Sequence, residues 1–158
     1  MAAETQPTHQ VLEFISREPT DTKYLYQVDV FSVDGDETRD FARVEVVEGG
    51  STPPELVLRE GEIIDCPVSG EGTFLILRPG GELERYDFDD RNPQYRNKNI
   101  HYGKGSYIAW VAGERGLVFV EVCSPAYKEG DLKILDVTNS DTPEAFRVGY
   151  QRLVERER

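Results

Sequence analysis

The sequence predicts a mostly antiparallel β fold, a sandwich or barrel closed by one short C-terminal helix. Three observations lead there. Short segments rich in Val, Ile, Tyr and Phe follow one another through residues 24–137, divided by clusters of Gly, Pro, Asp and Asn. The 158 residues suit one domain with a real core, and no shift of composition divides them. From Asp141 onward the apolar pattern changes to helical spacing.

Residues 1–10, MAAETQPTHQ, are polar and aperiodic, so they read as a disordered leader ahead of a single domain over residues 11–158. They have neither the basic region nor the apolar core of a signal peptide. Strands are expected over residues 24–33, 41–47, 55–59, 62–69, 73–78, 83–88, 107–112, 117–123 and 132–137. FLILRPGGELERYDF is the clearest hairpin, because Pro79 presets φ while Gly80 and Gly81 accept positive φ. A second reversal is expected at AGERG, residues 112–116, and the glycines of GEGTF read as turn glycines. In the tail, Asp141 and Glu144 have capping-box spacing and Pro143 suits a first helical turn. Phe146, Tyr150, Leu153 and Val154 then form the apolar stripe of a helix over residues 141–156, expected to pack on the barrel as core.

Acidic residues outnumber basic ones 30 to 18, a formal charge of -12. That field opposes general attraction to nucleic acid phosphates or anionic lipid, so neither is an expected partner. Cys66 and Cys123 each sit in an apolar run, outside any close-spaced redox or zinc motif, and read as small core residues with reduced thiols. With no apolar run near the ~18 residues of a membrane span, a cytoplasmic location is expected.

GGSTPPELVLREGEIIDCPVSGEGTF resembles the first cupin motif, which runs glycine, five residues, His, one residue, His, three or four residues, Glu, six residues, glycine. From Gly49, the two histidine positions hold Glu55 and Val57, and Glu62 stands at the glutamate. Gly70 comes one residue late with Pro67 between them, which a bulge would explain. Strand alternation then puts Glu62, Ile64, Cys66 and Val68 on the inner face; the competing choice faces Ile63, Asp65 and Pro67 inward, a poorer apolar lining. For the second cupin motif two registers are open. One places Asn97, Gly103, Gly105 and Ile108 on its glycine, proline, glycine and histidine positions, and the other uses Gly105, Val111, Gly113 and Gly116. The first is preferred, since it leaves a strand, the AGERG turn and a final strand before SPAY. The resemblance implies a double-stranded β-helix, or jelly-roll barrel, and a homodimer.

Cupins commonly hold a metal with three histidines and a glutamate, whereas the matching positions here read Glu55, Val57, Glu62 and Ile108. Two carboxylates without imidazole hold at most a hard ion weakly, so neither metal nor cofactor is expected. What the resemblance then implies is a barrel for a small organic molecule, with isomerase, epimerase or cyclase chemistry more in keeping than oxygenase chemistry. Glu55 and Glu62 are the candidate acid and base, their mutual repulsion and burial raising at least one pKa. His101 and Tyr107 are candidate assistants. Val57, Ile64, Cys66, Ile108 and Trp110 are the expected ligand-binding lining. Tyr107 and Trp110 lie on opposite strand faces, so one lines the barrel and the other packs outside. Competing readings stay open: PPELVLREGE as an exposed turn with solvated glutamates, His101 as a surface histidine in a solvated loop, and the whole chain as a non-catalytic binding or scaffold protein. Near His101 the bases Arg91, Arg96, Lys98 and Lys104 could greet a ligand carboxylate or phosphate. Glu121 interrupts the apolar run LVFVEVC, so it should be paired, at an interface or functional, with an arginine from the N-terminal strands or a second subunit as the commoner explanation.

Overall fold

The computed structural model describes residues 24–31, 38–95, 98–137 and 141–156. The expected leader and the first part of the chain lie outside them. Eight strands and one helix follow in order: β1 Tyr26–Phe31, β2 Asp40–Val46, β3 Glu55–Val57, β4 Glu62–Leu77, β5 Leu83–Asp89, β6 Ile100–Tyr102, β7 Tyr107–Ser124, β8 Leu132–Ile134 and α1 Glu144–Arg156. A short 3-10 turn at Pro93–Tyr95 joins β5 to the segment before β6.

Two long strands organise the rest. β4 and β7 run antiparallel along their whole length, from Glu62 opposite Ser124 to Leu77 opposite Tyr107. The first half of β4 and the last half of β7 join β6, β2 and β1; the other halves join β5, β3 and β8. The pairing therefore makes two sheets that share their central strands, and the side chains between them form the core.

The bend between the sheets replaces the reversal expected at AGERG. Gly70 pairs with Leu117 and Gly72 with Ala112, so Glu71 alone faces the four residues 113–116. The chain bulges and continues in its original direction. Gly70 and Gly116 both take positive φ, 86° and 70°, and a side chain at Gly70 would overlap the Gly116 carbonyl. Glycine's freedom serves here to carry two strands round a corner in close apposition. Arg115 fastens the corner, donating to Asp89 at 2.8 Å and Asp90 at 2.7 Å, while Asp90 also accepts the Gly70 N–H at 2.8 Å. For the same reason the segments expected separately at 62–69 and 73–78 are one strand.

A second register shift falls between Pro67 and Ser69, the bulge that proline demands where it cannot donate. The Pro79–Gly81 hairpin forms as expected, with Leu77 opposite Leu83 and the Gly81 N–H donating to the Arg78 carbonyl at 3.0 Å. β6 was not anticipated, since three residues with one apolar alternation carry little signal. α1 begins later than expected but uses the expected stripe. Phe146, Tyr150 and Leu153 bury themselves against Leu75, Ala109 and Val111, the outward-facing residues of β4 and β7. Tyr150 also shares a hydrogen bond with Ser51 at 2.9 Å. No helix among the described residues is long and apolar enough to cross a membrane.

Candidate active site

Period-two alternation decides which side chains of β4 enter the barrel. Ile63 and Asp65 point inward, both 0% exposed. Glu62 and Ile64 point out. The sequence-based choice of the other face is therefore corrected by the ladder: Ile63 pairs with buried Cys123 on one side and buried Tyr102 on the other, and the bulge comes only after Pro67. Apolar lining alone favoured the wrong face, because the right one carries an acid.

Asp65 stands directly opposite Glu121 in the ladder. Both side chains point into the same interior. The Tyr102 hydroxyl lies 3.0 Å from Asp65 Oδ2 and 3.2 Å from Glu121 Oε2, and the Trp110 indole N–H donates to Asp65 Oδ2 at 2.9 Å. Asp65 Oδ2 thus receives both donors, and buried Oδ1 has no partner among the described residues. Trp110 is itself fixed by its own backbone N–H, which donates to Thr52 Oγ1 at 2.9 Å. Its ring lies between Phe74 and Phe119, at 4.7 and 5.1 Å between centroids.

Burial raises the pKa of Asp65 well above the usual carboxylate range, and the charge of Glu121 adds to it. Glu121 is raised as well, again chiefly by burial. The Tyr102 phenol is pushed far up by burial and by both carboxyls, so it remains a donor. The pair therefore titrates as a unit that holds a proton between two acids. Cys123 is buried beside Glu121, its Sγ 3.9 Å from Oε1, and its thiol is strongly raised by burial and by that acid. Sequence reasoning expected an arginine partner for Glu121; an acid and a phenol occupy that place.

A cavity of about 90 Å³ opens onto this pair. Val28, Val44, Trp110 and Phe119 form much of its wall, and Asp40 and Glu55 add carboxyls. Asp40 is buried, its Oδ2 accepting the Tyr127 N–H at 2.7 Å, and desolvation raises its pKa.

The expected site residues divide between this cavity and the outside. Glu55, Ile108 and Trp110 line it, and Val57 is buried in the same core. Glu62 does not converge with Glu55: it lies on the outer face, where it pairs with exposed His101. His101 alternates outward between buried Ile100 and Tyr102. Tyr107 also faces out, its ring 5.9 Å from Phe146 of α1. Ile64 and Cys66 share the outer face and do not line the cavity. Of the nearby bases, Arg91 bonds to Asp89 and Glu71 and Lys104 to Glu60, all on the exterior, while Arg96 lies outside the described residues. The first register of the second motif agrees with the structure, since it sets Ile108 on the inner wall across from Glu55.

The metal that the cupin resemblance implies does not fit the side chains present. Val57 and Ile108 carry no donor atom, Glu62 points away, and no group of three or more His, Cys, Asp or Glu among the described residues is placed to hold an ion.

Asp65 and Tyr102 are the residues that sequence reasoning missed. The signal was an acid opposite a second acid, Glu121, which becomes visible only when the pairing of β4 with β7 is known.

No protein-family model and no curated protein matches the chain. Solved structures do. Oxalate decarboxylase from Bacillus subtilis superposes with a TM-score of 0.65 at 12% identity, over 93% of this chain and 37% of its own. CapF, the capsular polysaccharide assembling protein of Staphylococcus aureus, gives 0.60 at 11%, over 78% and 34%. A variant of Streptomyces PAC13 with uridine gives 0.57 at 16%, over 80% and 89%. This chain thus spans little more than a third of the first two. All three are cupin-fold proteins, and the superpositions place this chain with them: it has the cupin fold.

Proposed function

We propose that the chain is an enzyme that moves a proton on a small organic molecule held in the barrel cavity, with Asp65 and Glu121 as the acid and base. The observation that carries this reading is the cross-strand pairing of buried Asp65 with half-buried Glu121 beneath one tyrosine hydroxyl, at the wall of an open cavity. Two acids in such a place share a proton, so one is ready to donate while the other accepts. Asp65 Oδ2 already accepts from Trp110, whereas buried Oδ1 has no partner among the described residues. Glu121 takes the proton from carbon or oxygen of the substrate. Tyr102 donates to whichever carboxyl bears the charge and holds both in line.

An isomerase, epimerase, dehydratase or cyclase needs this division of labour. The similarity to oxalate decarboxylase supports a catalytic use of the fold.

Incubation of the protein in deuterium oxide with a panel of small hydroxy- and aminocarbonyl compounds, followed by NMR, tests the proposal. Enzyme-dependent exchange of a carbon-bound proton is expected, slowed about 10²- to 10⁴-fold in Asp65→Asn and Glu121→Gln. Exchange at an unchanged rate in both variants would remove the pair from the mechanism. Ligand binding without exchange on any compound would favour the binding or scaffold reading.

A further inference from the structure

The cavity that the proton-transfer reading rests on also carries information about what enters it. Its wall holds the carboxyls of Asp40, Asp65 and Glu121 beside the rings of Tyr26, Trp110 and Phe119, and none of its described lining residues is Lys, Arg or His. Arg59, a buried base, is not among the residues of the wall. Its guanidinium stands 3.4 Å from Asp131 Oδ2 and donates to the carbonyls of Glu60 and Pro125. Its field lowers Asp40, where burial has raised it.

From this lining and from the buried Oδ1 of Asp65, which has no hydrogen-bond partner among the described residues, we infer that the ligand is an organic cation: a small molecule with a protonated amine and an apolar body. An ammonium brings three donors and no acceptor, and so meets an atom that lacks a donor and a wall made of acceptors. Its positive charge offsets the desolvation of the Asp65–Glu121 pair, whose bonded partners among the described residues include no cation. Rings around the same space add attraction for a cation and contact for its hydrocarbon part. A ligand carboxylate or phosphate meets the reverse. A carboxylate of the wall repels it, the more strongly the less water lies between them. A neutral alcohol can donate to Oδ1 but leaves the charge of the pair uncompensated.

Three probes with one hydrocarbon body separate these cases: cyclohexylamine, cyclohexanol and cyclohexanecarboxylate, titrated near pH 7.5. Trp110 is the chain's one tryptophan and lines the cavity, so saturable changes in its emission report binding at this site. The amine is expected to bind at least about tenfold tighter than the alcohol, a difference of about 1.4 kcal/mol, with the carboxylate weakest. The double variant Asp65→Asn, Glu121→Gln should lose that order. Should the double variant fail to fold, Glu121→Gln alone is expected to lower the amine preference, and the order of the three probes on the unaltered protein is a test in itself. Equal or tighter binding of the carboxylate, no saturable response to the amine, or an amine preference unchanged in the folded variants would overturn the inference. Proton exchange found on neutral or anionic compounds, without amine preference, would overturn the ligand class and leave the proton-transfer reading standing. Amine preference with no exchange on any amine would do the reverse.

Discussion

Two carboxyls that face each other across a ladder and away from bulk water oppose the charging of one another, and that opposition is a term in stability. Asp65 has a folded-state pKa raised well above its ordinary 3.8, chiefly by burial, so the folded protein holds this proton more tightly than the unfolded chain. Stability from such a group is fully present below the unfolded pKa and is lost as pH rises toward the folded value. Glu121 and Asp40 are raised too and act with the same sign. Asp89 and Asp90 act in the opposite sense: Arg91 holds Asp89 down to about 2 and Arg115 lowers Asp90, so their contribution disappears as pH falls below the ordinary 3.8. The melting temperature should therefore decline on the alkaline side, from about pH 4 upward, and again in strong acid. In Asp65→Asn the alkaline decline should shrink, because the amide has no proton to lose. Thermal unfolding between pH 3 and pH 9 checks this, and an identical slope in the variant would show that Asp65 is not buried as a proton-holding acid.

At the scale of elements, the corner where β4 and β7 pass between sheets depends on glycine at one position far more than at another. Gly70 and Gly80 both have positive φ, 86° and 67°. A methyl group at Gly80 meets nothing within 4 Å, whereas at Gly70 it meets the Gly116 backbone. Gly80→Ala should cost about 1–2 kcal/mol from backbone conformation alone. Gly70→Ala should cost about 1–3 kcal/mol more, since overlap with a paired strand must be relieved by moving it. Urea unfolding of the two variants compares them directly; equal costs would mean that the close apposition at the corner is relaxed. The same corner explains a sequence misreading. AGERG and GEGTF have the residues of reversals, but glycine permits a bend as readily as a turn, and only the partner strand on each side distinguishes the two.

Across the whole molecule, β7 carries two kinds of core on its two faces. Tyr107, Ala109 and Val111 lie under α1, and Ile108, Trp110 and Ala112 point into the barrel. Phe146 is fully buried in the helix-side layer, so Phe146→Ala should destabilise the fold by about 3–5 kcal/mol. It should leave the affinity for a cavity ligand within about twofold wherever the protein is folded, because Phe146 packs on the face of β7 opposite to Trp110 and small Ala109 is what the two layers share. Unfolding and Trp110 titrations on one sample decide this, and a large loss of affinity would mean that the helix side and the cavity are coupled. Residues by themselves determined much of the architecture: the β-rich domain, the Pro79–Gly81 hairpin, the bulge at Pro67 and the helical stripe of Phe146, Tyr150 and Leu153 all follow from φ preferences and local period. Alternation put Tyr107 and Trp110 on opposite faces of one strand, and the fold set Trp110 with Ile108 on the inner one. What only the tertiary structure decided was the register of β4 against β7. A shift of one residue exchanges Glu62 for Asp65 inside the barrel, and local pattern prefers the apolar lining, whereas the real ladder sets Asp65 of β4 against Glu121 of β7, with Tyr102 of β6 bonding both and Trp110, from the other half of β7, bonding Asp65.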